Sequence, residues 1–150
     1  MPNQFLVLLV DDDQALMDIL VQAAKSSFPE ASFKQVSHFD EAKKYIDELD
    51  GKIPKLVLLD VDLQDRVDGL DFLALIRVHP KGRALPVIML SAHHTPQLVE
   101  RAYSFGASSF TVKPFTLDEW KRYLLRLRMY WYETVTLPDV RYYKSDTTDQ

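Results

Sequence analysis

Leu56-Val-Leu-Leu59 is an unbroken apolar run, too short for a helix, bounded by Pro54 on one side and Asp60 on the other. Such a run reads as a strand buried on both faces, as in the middle of a parallel sheet. A buried strand that ends in a carboxylate delivers it to the carboxyl edge of the sheet, where open α/β folds bind their ligands. Alone, Asp60 could simply cap the loop that follows. The other strand ends decide its role.

Phe5-Leu-Val-Leu-Leu-Val10 repeats the pattern and ends in Asp11, Asp12 and Asp13. Leu16, Ile19, Leu20, Ala23 and Ala24 then recur at helical spacing, with Asp13 placed as cap and Ser26, Ser27 and Pro29 closing the helix. Ala31 to Val36 predicts a strand diluted by Lys34 and Gln35. Ser37-His-Phe-Asp40 predicts a capping box for a helix whose apolar face is Phe39, Ala42, Ile46 and Leu49, ended by Asp50-Gly51. After the central strand, a polar loop from Gln64 to Gly69 leads to helical spacing at Leu70, Leu73 and Ile76, punctuated by Pro80 and Gly82. Pro86-Val-Ile-Met-Leu90 is a fourth strand and delivers Ser91. Thr95-Pro96 opens a helix with Leu98, Val99 and Ala102 on its core face, stopped by Gly106. Ser109-Phe-Thr-Val112 is the fifth strand and delivers Lys113-Pro114, and Thr116 with Glu119 predicts a capping box for the last helix. Five strands, each followed by a helix, predict a parallel sheet with helices on both faces.

Asp11, Asp12, Asp60, Ser91 and Lys113 all stand at strand ends that such a sheet points the same way. Clustered carboxylates at neutral pH need raised pKa values or a bound cation. Oxygen ligands without His or Cys suit Mg²⁺. Lys113 and Ser91 add a positive charge and a neutral donor, which together suit a phosphoryl group seated on Asp60, carboxylates being recognised nucleophiles. Cysteine is absent, so thiolate nucleophiles and zinc–thiolate sites are excluded. A net charge of −4 gives no general attraction to nucleic acid or anionic membrane. No apolar stretch approaches the roughly 20 residues that span a bilayer, and no signal peptide opens the chain, so a cytoplasmic protein is expected. At 150 residues one domain is expected.

Leu9-Val10-Asp11-Asp12-Asp13, Leu58-Leu59-Asp60, Asp68-Gly69, Met89-Leu90-Ser91-Ala92, Gly106-Ala107 and Lys113-Pro114-Phe115 together resemble the response-regulator receiver domain of two-component signalling. The resemblance implies a flavodoxin-like (βα)5 doubly wound sheet of strand order 2-1-3-4-5. It implies that Asp60 accepts phosphate from a sensor histidine kinase and catalyses only its own phosphorylation and dephosphorylation, with Ser91 and Lys113 on the phosphoryl oxygens. Asp12, Asp60 and the Asp62 carbonyl would ligate Mg²⁺, with Asp11 acting through water. Phe110 matches the switch aromatic that follows Ser91, and Lys113-Pro114 would be a cis peptide. Asp62 and His93 occupy positions that in the family tune dephosphorylation. Two departures stand out. Gln64 replaces a usual proline, and Asp68 stands eight after Asp60, so the loop is one residue longer than the pattern.

The receiver is expected over 1–128, with 129–150 as an extension too short for an output domain. Output is therefore expected through protein–protein contact or phosphorelay. Trp120, Leu124, Leu127, Tyr130 and Trp131 form an apolar stripe longer than one domain face needs, which predicts a homodimer interface. This ending resembles small stand-alone regulators that partner phytochrome-class kinases. His93-His94 is expected in a surface loop, and Arg126 and Arg128 on a solvated face. Two alternatives remain: a receiver-like docking module that works without phosphorylation, and a haloacid-dehalogenase-type phosphatase, for which Asp62 would be the second acid.

Overall fold

The computed structural model describes residues 4–62, 68–138 and 141–142, the last two and Gly51–Lys52 by backbone alone. Five parallel strands form one sheet: β1 Phe5–Val10, β2 Ala31–Val36, β3 Leu56–Asp60, β4 Val87–Ser91 and β5 Ser109–Val112. Their order across the sheet is β2-β1-β3-β4-β5, the expected 2-1-3-4-5 arrangement of a flavodoxin-like fold. Five helices alternate with them: α1 Gln14–Ser27, α2 Phe39–Asp47, α3 Gly69–Val78, α4 Pro96–Ser104 and α5 Leu117–Leu127.

The two-residue alternation of each strand divides the core. Leu8, Val10, Val57, Leu59, Val87 and Met89 face α2, α3 and α4. Phe5, Val7, Leu9, Leu56, Leu58, Ile88 and Leu90 face α1 and α5. All five residues of β3 are buried, as an inner parallel strand requires. Side-chain caps fix three helix starts as expected. Asp13 accepts from the Ala15 amide, Thr95 from Leu98, and Thr116 with Glu119 makes a reciprocal box.

The start of α2 differs from the sequence expectation. Its N-cap is His38, whose side chain makes no capping bond, and Glu41 rather than Asp40 reaches back to accept from the Ser37 amide at 3.2 Å. Its end also comes earlier. Lys81 Nζ donates to the Asp47 and Leu49 carbonyls at 3.0 and 3.2 Å, so a lysine from beyond α3 satisfies the orphan oxygens there. Leu49 is buried just outside the helix. Lys113-Pro114 also differs, since no peptide bond is cis among the described residues. Trans is the lower-energy form of an X–Pro bond, and Lys113 reaches the acids in that form.

Beyond α5 the chain continues through a wider helical turn, Arg128–Tyr132, closed by Glu133 N–H on the Arg128 carbonyl. Tyr132 turns inward, edge-on to Phe5 with ring centroids 6.0 Å apart. Arg128 grips Glu30 through two bonds of 2.8 and 2.7 Å and also pairs with Glu133. Arg128 is therefore a tether between the chain end and the α1–β2 corner, not part of a solvated face; Arg126 is exposed as expected. Gly51–Lys52 and Arg141–Tyr142 form a short antiparallel ribbon, so the extension folds back on its own domain.

Candidate functional site

Strand register assembles the site. Val10 is level with Leu59, and Asp60 with Leu90; Ser91 is level with Val112, one residue before Lys113. Asp11 and Asp60 each stand two residues beyond a leucine that faces α1 and α5, so the alternation aims both carboxylates to the same side of the sheet edge.

Asp11, Asp12 and Asp60 each offer a carboxylate oxygen, and these lie within 4.8 Å of one another. Asp11 is fully buried and Asp60 is 5% exposed. Lys113 Nζ sits 2.7 Å from Asp11 Oδ2 and 3.6 Å from Asp60 Oδ2, one cation against two buried anions. Burial, and then the neighbouring Asp11 charge, pushes Asp60 up to about 6, against a smaller downward pull from the Asp62 amide and Lys113. Burial alone would lower Lys113, but its bond to Asp11 and the charges of Asp60 and Asp11 raise it overall. The lysine therefore stays charged at neutral pH while Asp60 is strained in its ionised form. Such a donor set, oxygen-only and short of positive charge, fits a divalent cation.

The rest of the predicted site is placed as follows. Ser91 is fully buried and its Oγ accepts from the His93 amide at 3.1 Å. Asp62 is exposed, its carboxylate is not one of the three clustered acids, and its amide donates to Asp60 Oδ1 at 3.0 Å. Phe110 is half-buried against the α2–α4 side of the core, and its amide donates to the Tyr103 hydroxyl. His93 and His94 are exposed. The lengthened loop lies outside the described residues between 63 and 67, so the expectation about Gln64 rests on the sequence alone.

The aromatic stripe is split. Trp120, Leu124 and Leu127 are buried at 1%, 1% and 7% exposure in the core against α1, which removes them from any surface. The reason is the 3.6-residue period: 120, 124 and 127 are the inward face of α5. Tyr130 is 54% exposed, beside Met129, while Trp131 packs edge-on to it and is half-buried.

Three features escaped sequence reasoning. Gly69 opens α3 so close to the end of β3 that a Cβ there would sit 2.2 Å from the Asp60 carbonyl oxygen and 2.9 Å from Val61 Cα. Both neighbours are backbone, so only glycine lets α3 dock behind Asp60. Tyr123 bonds Thr111 at 2.8 Å on the β5–α5 side, and burial pushes its phenol up to about 12. Gln35, which reads as a flaw in β2, donates to the carbonyls of Asp11 and Asp13. No local pattern signals any of these pairings.

The fold is an open, doubly wound α/β sheet with a lysine-bridged acid cluster at its carboxyl edge, where such sheets bind their ligands. The response regulator receiver domain profile matches residues 7–124, and the chain belongs to that family. The probable methanogenesis regulatory protein FilR2 of Methanothrix harundinacea is 30% identical over 136 residues, 86% of this chain and 84% of the relative. The response regulator RPA3017 in red light signalling of R. palustris superposes with a TM-score of 0.80 at 27% identity, covering 90% of this chain and 99% of that one. The Mn²⁺-bound form of response regulator Rcp1 gives 0.76 at 26% identity, covering 89% and 98%. The phosphatase alternative falls with this membership. Among the described residues no helix is long and apolar enough to cross a membrane.

Proposed function

We propose that this chain is a stand-alone response regulator that accepts a phosphoryl group on Asp60 from a sensor histidine kinase, in a Mg²⁺-dependent reaction, and signals by protein–protein contact or phosphorelay in the cytoplasm. The observation that carries this reading is the Asp11–Asp12–Asp60 cluster with Lys113 across it. In the transfer, Asp60 Oδ forms the bond to phosphorus as the bond to the kinase histidine nitrogen breaks. Phosphoryl transfer asks little of a protein beyond positioning and neutralisation of the equatorial oxygens. Asp12, Asp60 and the Asp62 carbonyl, with Asp11 through water, would hold Mg²⁺, which when bound supplies positive charge to those oxygens. Lys113 supplies the other charge and Ser91 a hydroxyl donor. Displacement of Ser91 and Phe110 toward the phosphoryl group would bias a two-state surface, a coupling typically of about 1–3 kcal/mol. The likeness to RPA3017, a response regulator in red light signalling, supports a phytochrome-class kinase as partner.

The test is labelling by a small radioactive phosphodonor, followed by transfer profiling against candidate kinases. Acid-stable but base-labile label is expected with Mg²⁺ and none with EDTA; equal labelling in both would remove the metal from the reaction.

Tyr130 and Met129, exposed together at the end of α5, support a homodimer through this end of the molecule. Light scattering is expected to report twice the 17.4 kDa chain mass, and Tyr130→Glu the single mass. A wild-type monomer at tens of micromolar would refute the dimer.

A further inference from the structure

We propose that Gln35 is a positioning residue of the metal site, holding the Asp12 carboxylate where it can join Asp60. This rests on the reading of the acid cluster as a divalent-cation site. Gln35 Nε2 lies 3.0 Å from the Asp11 carbonyl and 2.9 Å from the Asp13 carbonyl. Both partners can only accept, so the nitrogen end of the amide must face them, and its two hydrogens are both spent on this loop. The two carbonyls flank Asp12, one on each side.

A backbone segment tied at both ends to one planar amide loses the rotations that would swing the residue between them. The same loop is held from within by the Asp13 amide on Asp11 Oδ1 at 2.9 Å and by the Ala15 amide on Asp13 Oδ1 at 3.0 Å. Neither of those bonds reaches outside residues 11–15. Gln35 is the side chain that ties the loop to the neighbouring strand, 24 residues away in sequence from Asp11. Two further contacts at the β2 end, the Asp11 amide on the Val36 carbonyl and Gln14 Nε2 on Ser37 Oγ, run along the same seam. Gln35 is neutral, so it neither attracts nor repels a cation. Its contribution is geometric. Groups that orient metal ligands in this way typically change metal affinity by about 10–100-fold when removed.

Gln35→Met keeps the length and deletes both donors. Gln35→Asn keeps the amide but is one methylene too short to reach both carbonyls. Lys34→Met, at the exposed neighbouring position, controls for added apolar surface on β2. By calorimetry, both Gln35 variants are expected to bind Mg²⁺ at least about tenfold more weakly than the wild type, with Lys34→Met unchanged. In metal-free protein, hydrogen exchange at the Asp13 amide should accelerate in both Gln35 variants while exchange in β3 stays as in the wild type. Wild-type Mg²⁺ affinity in a folded Gln35→Met and Gln35→Asn overturns the proposal, and so does unchanged Asp13 exchange. A wild type that binds no Mg²⁺ would instead sink the metal reading, and Asp13 exchange then decides alone whether Gln35 holds the loop. Loss of β3 protection in both variants would make Gln35 a general structural residue and also overturns the proposal.

Discussion

Asp60→Asn is expected to abolish phosphoryl labelling and, unusually for a change at a buried site, to raise the melting temperature of the metal-free protein at pH 8. The second effect follows from the site's electrostatics. The folded state holds the Asp60 carboxyl pKa at about 6, above the ordinary 3.8 of an exposed aspartate. Between those values the folded chain binds a proton that the unfolded chain has released. Below pH 3.8 the group costs the fold nothing, and the cost grows through the window until it is complete above pH 6. A gap of about two pH units corresponds to roughly 3 kcal/mol, and residual solvation makes about 1–3 kcal/mol the expected gain. That is a rise of about 3–10 °C for a domain of this size. Melting both proteins in EDTA at pH 8 and pH 4.5 checks the sign: the advantage of Asn should shrink toward the acid end. A variant that melts at or below the wild type at pH 8 would mean that burial and the Asp11 charge do not penalise the ionised Asp60.

Lys113→Met tests the other half of the same balance. Lys113 is raised, so its stabilising charge is present throughout the physiological range and is lost only as pH climbs through the folded value, above 10.5. Its removal leaves the fully buried Asp11 carboxylate against Asp60 with no cation. Breaking such a pair by deleting one partner costs about 3–5 kcal/mol; with the lysine a fifth exposed, about 2–4 kcal/mol is expected in EDTA. Mg²⁺ should recover part of this. Labelling by the phosphodonor should slow by about 10²–10³-fold, the usual effect of losing one charge-stabilising group. Because both substitutions act on one cluster, their effects should not add. In the Asp60→Asn background the destabilisation by Lys113→Met should fall, since one of the two anions is gone. Additive melting shifts would show that Lys113 does not serve both acids.

Legibility in the sequence follows the range of the interaction. The apolar runs at 5–10, 56–59 and 87–90 and the caps at Asp13, Thr95 and Thr116 are set by residues within about a turn of each other, and all appear as expected. The capping of α2 failed on the same scale, by a shift of one residue, because Ser37, Asp40 and Glu41 are all competent and only the backbone geometry chooses among them. Trp120, Leu124 and Leu127 are core and not interface, because helical spacing tells that a face is apolar, not what covers it; α1 covers it.

By itself the sequence determined five strand–helix units and the chemistry at the ends of four of the strands, since alternation and capping are local properties of a chain. The tertiary structure alone decided which ends meet. Lys113 joins Asp11 across 102 residues, and Arg128 joins Glu30 across 98. It also turned Gln35 from a blemish in a strand into a tie on the acid loop, and Gly69 from the end of a polar loop into the close approach of α3 to Asp60. The reason is that sheet register and helix docking are settled by burial summed over the whole core, and a bond of 2.7 Å forms only after that packing has brought its two ends together.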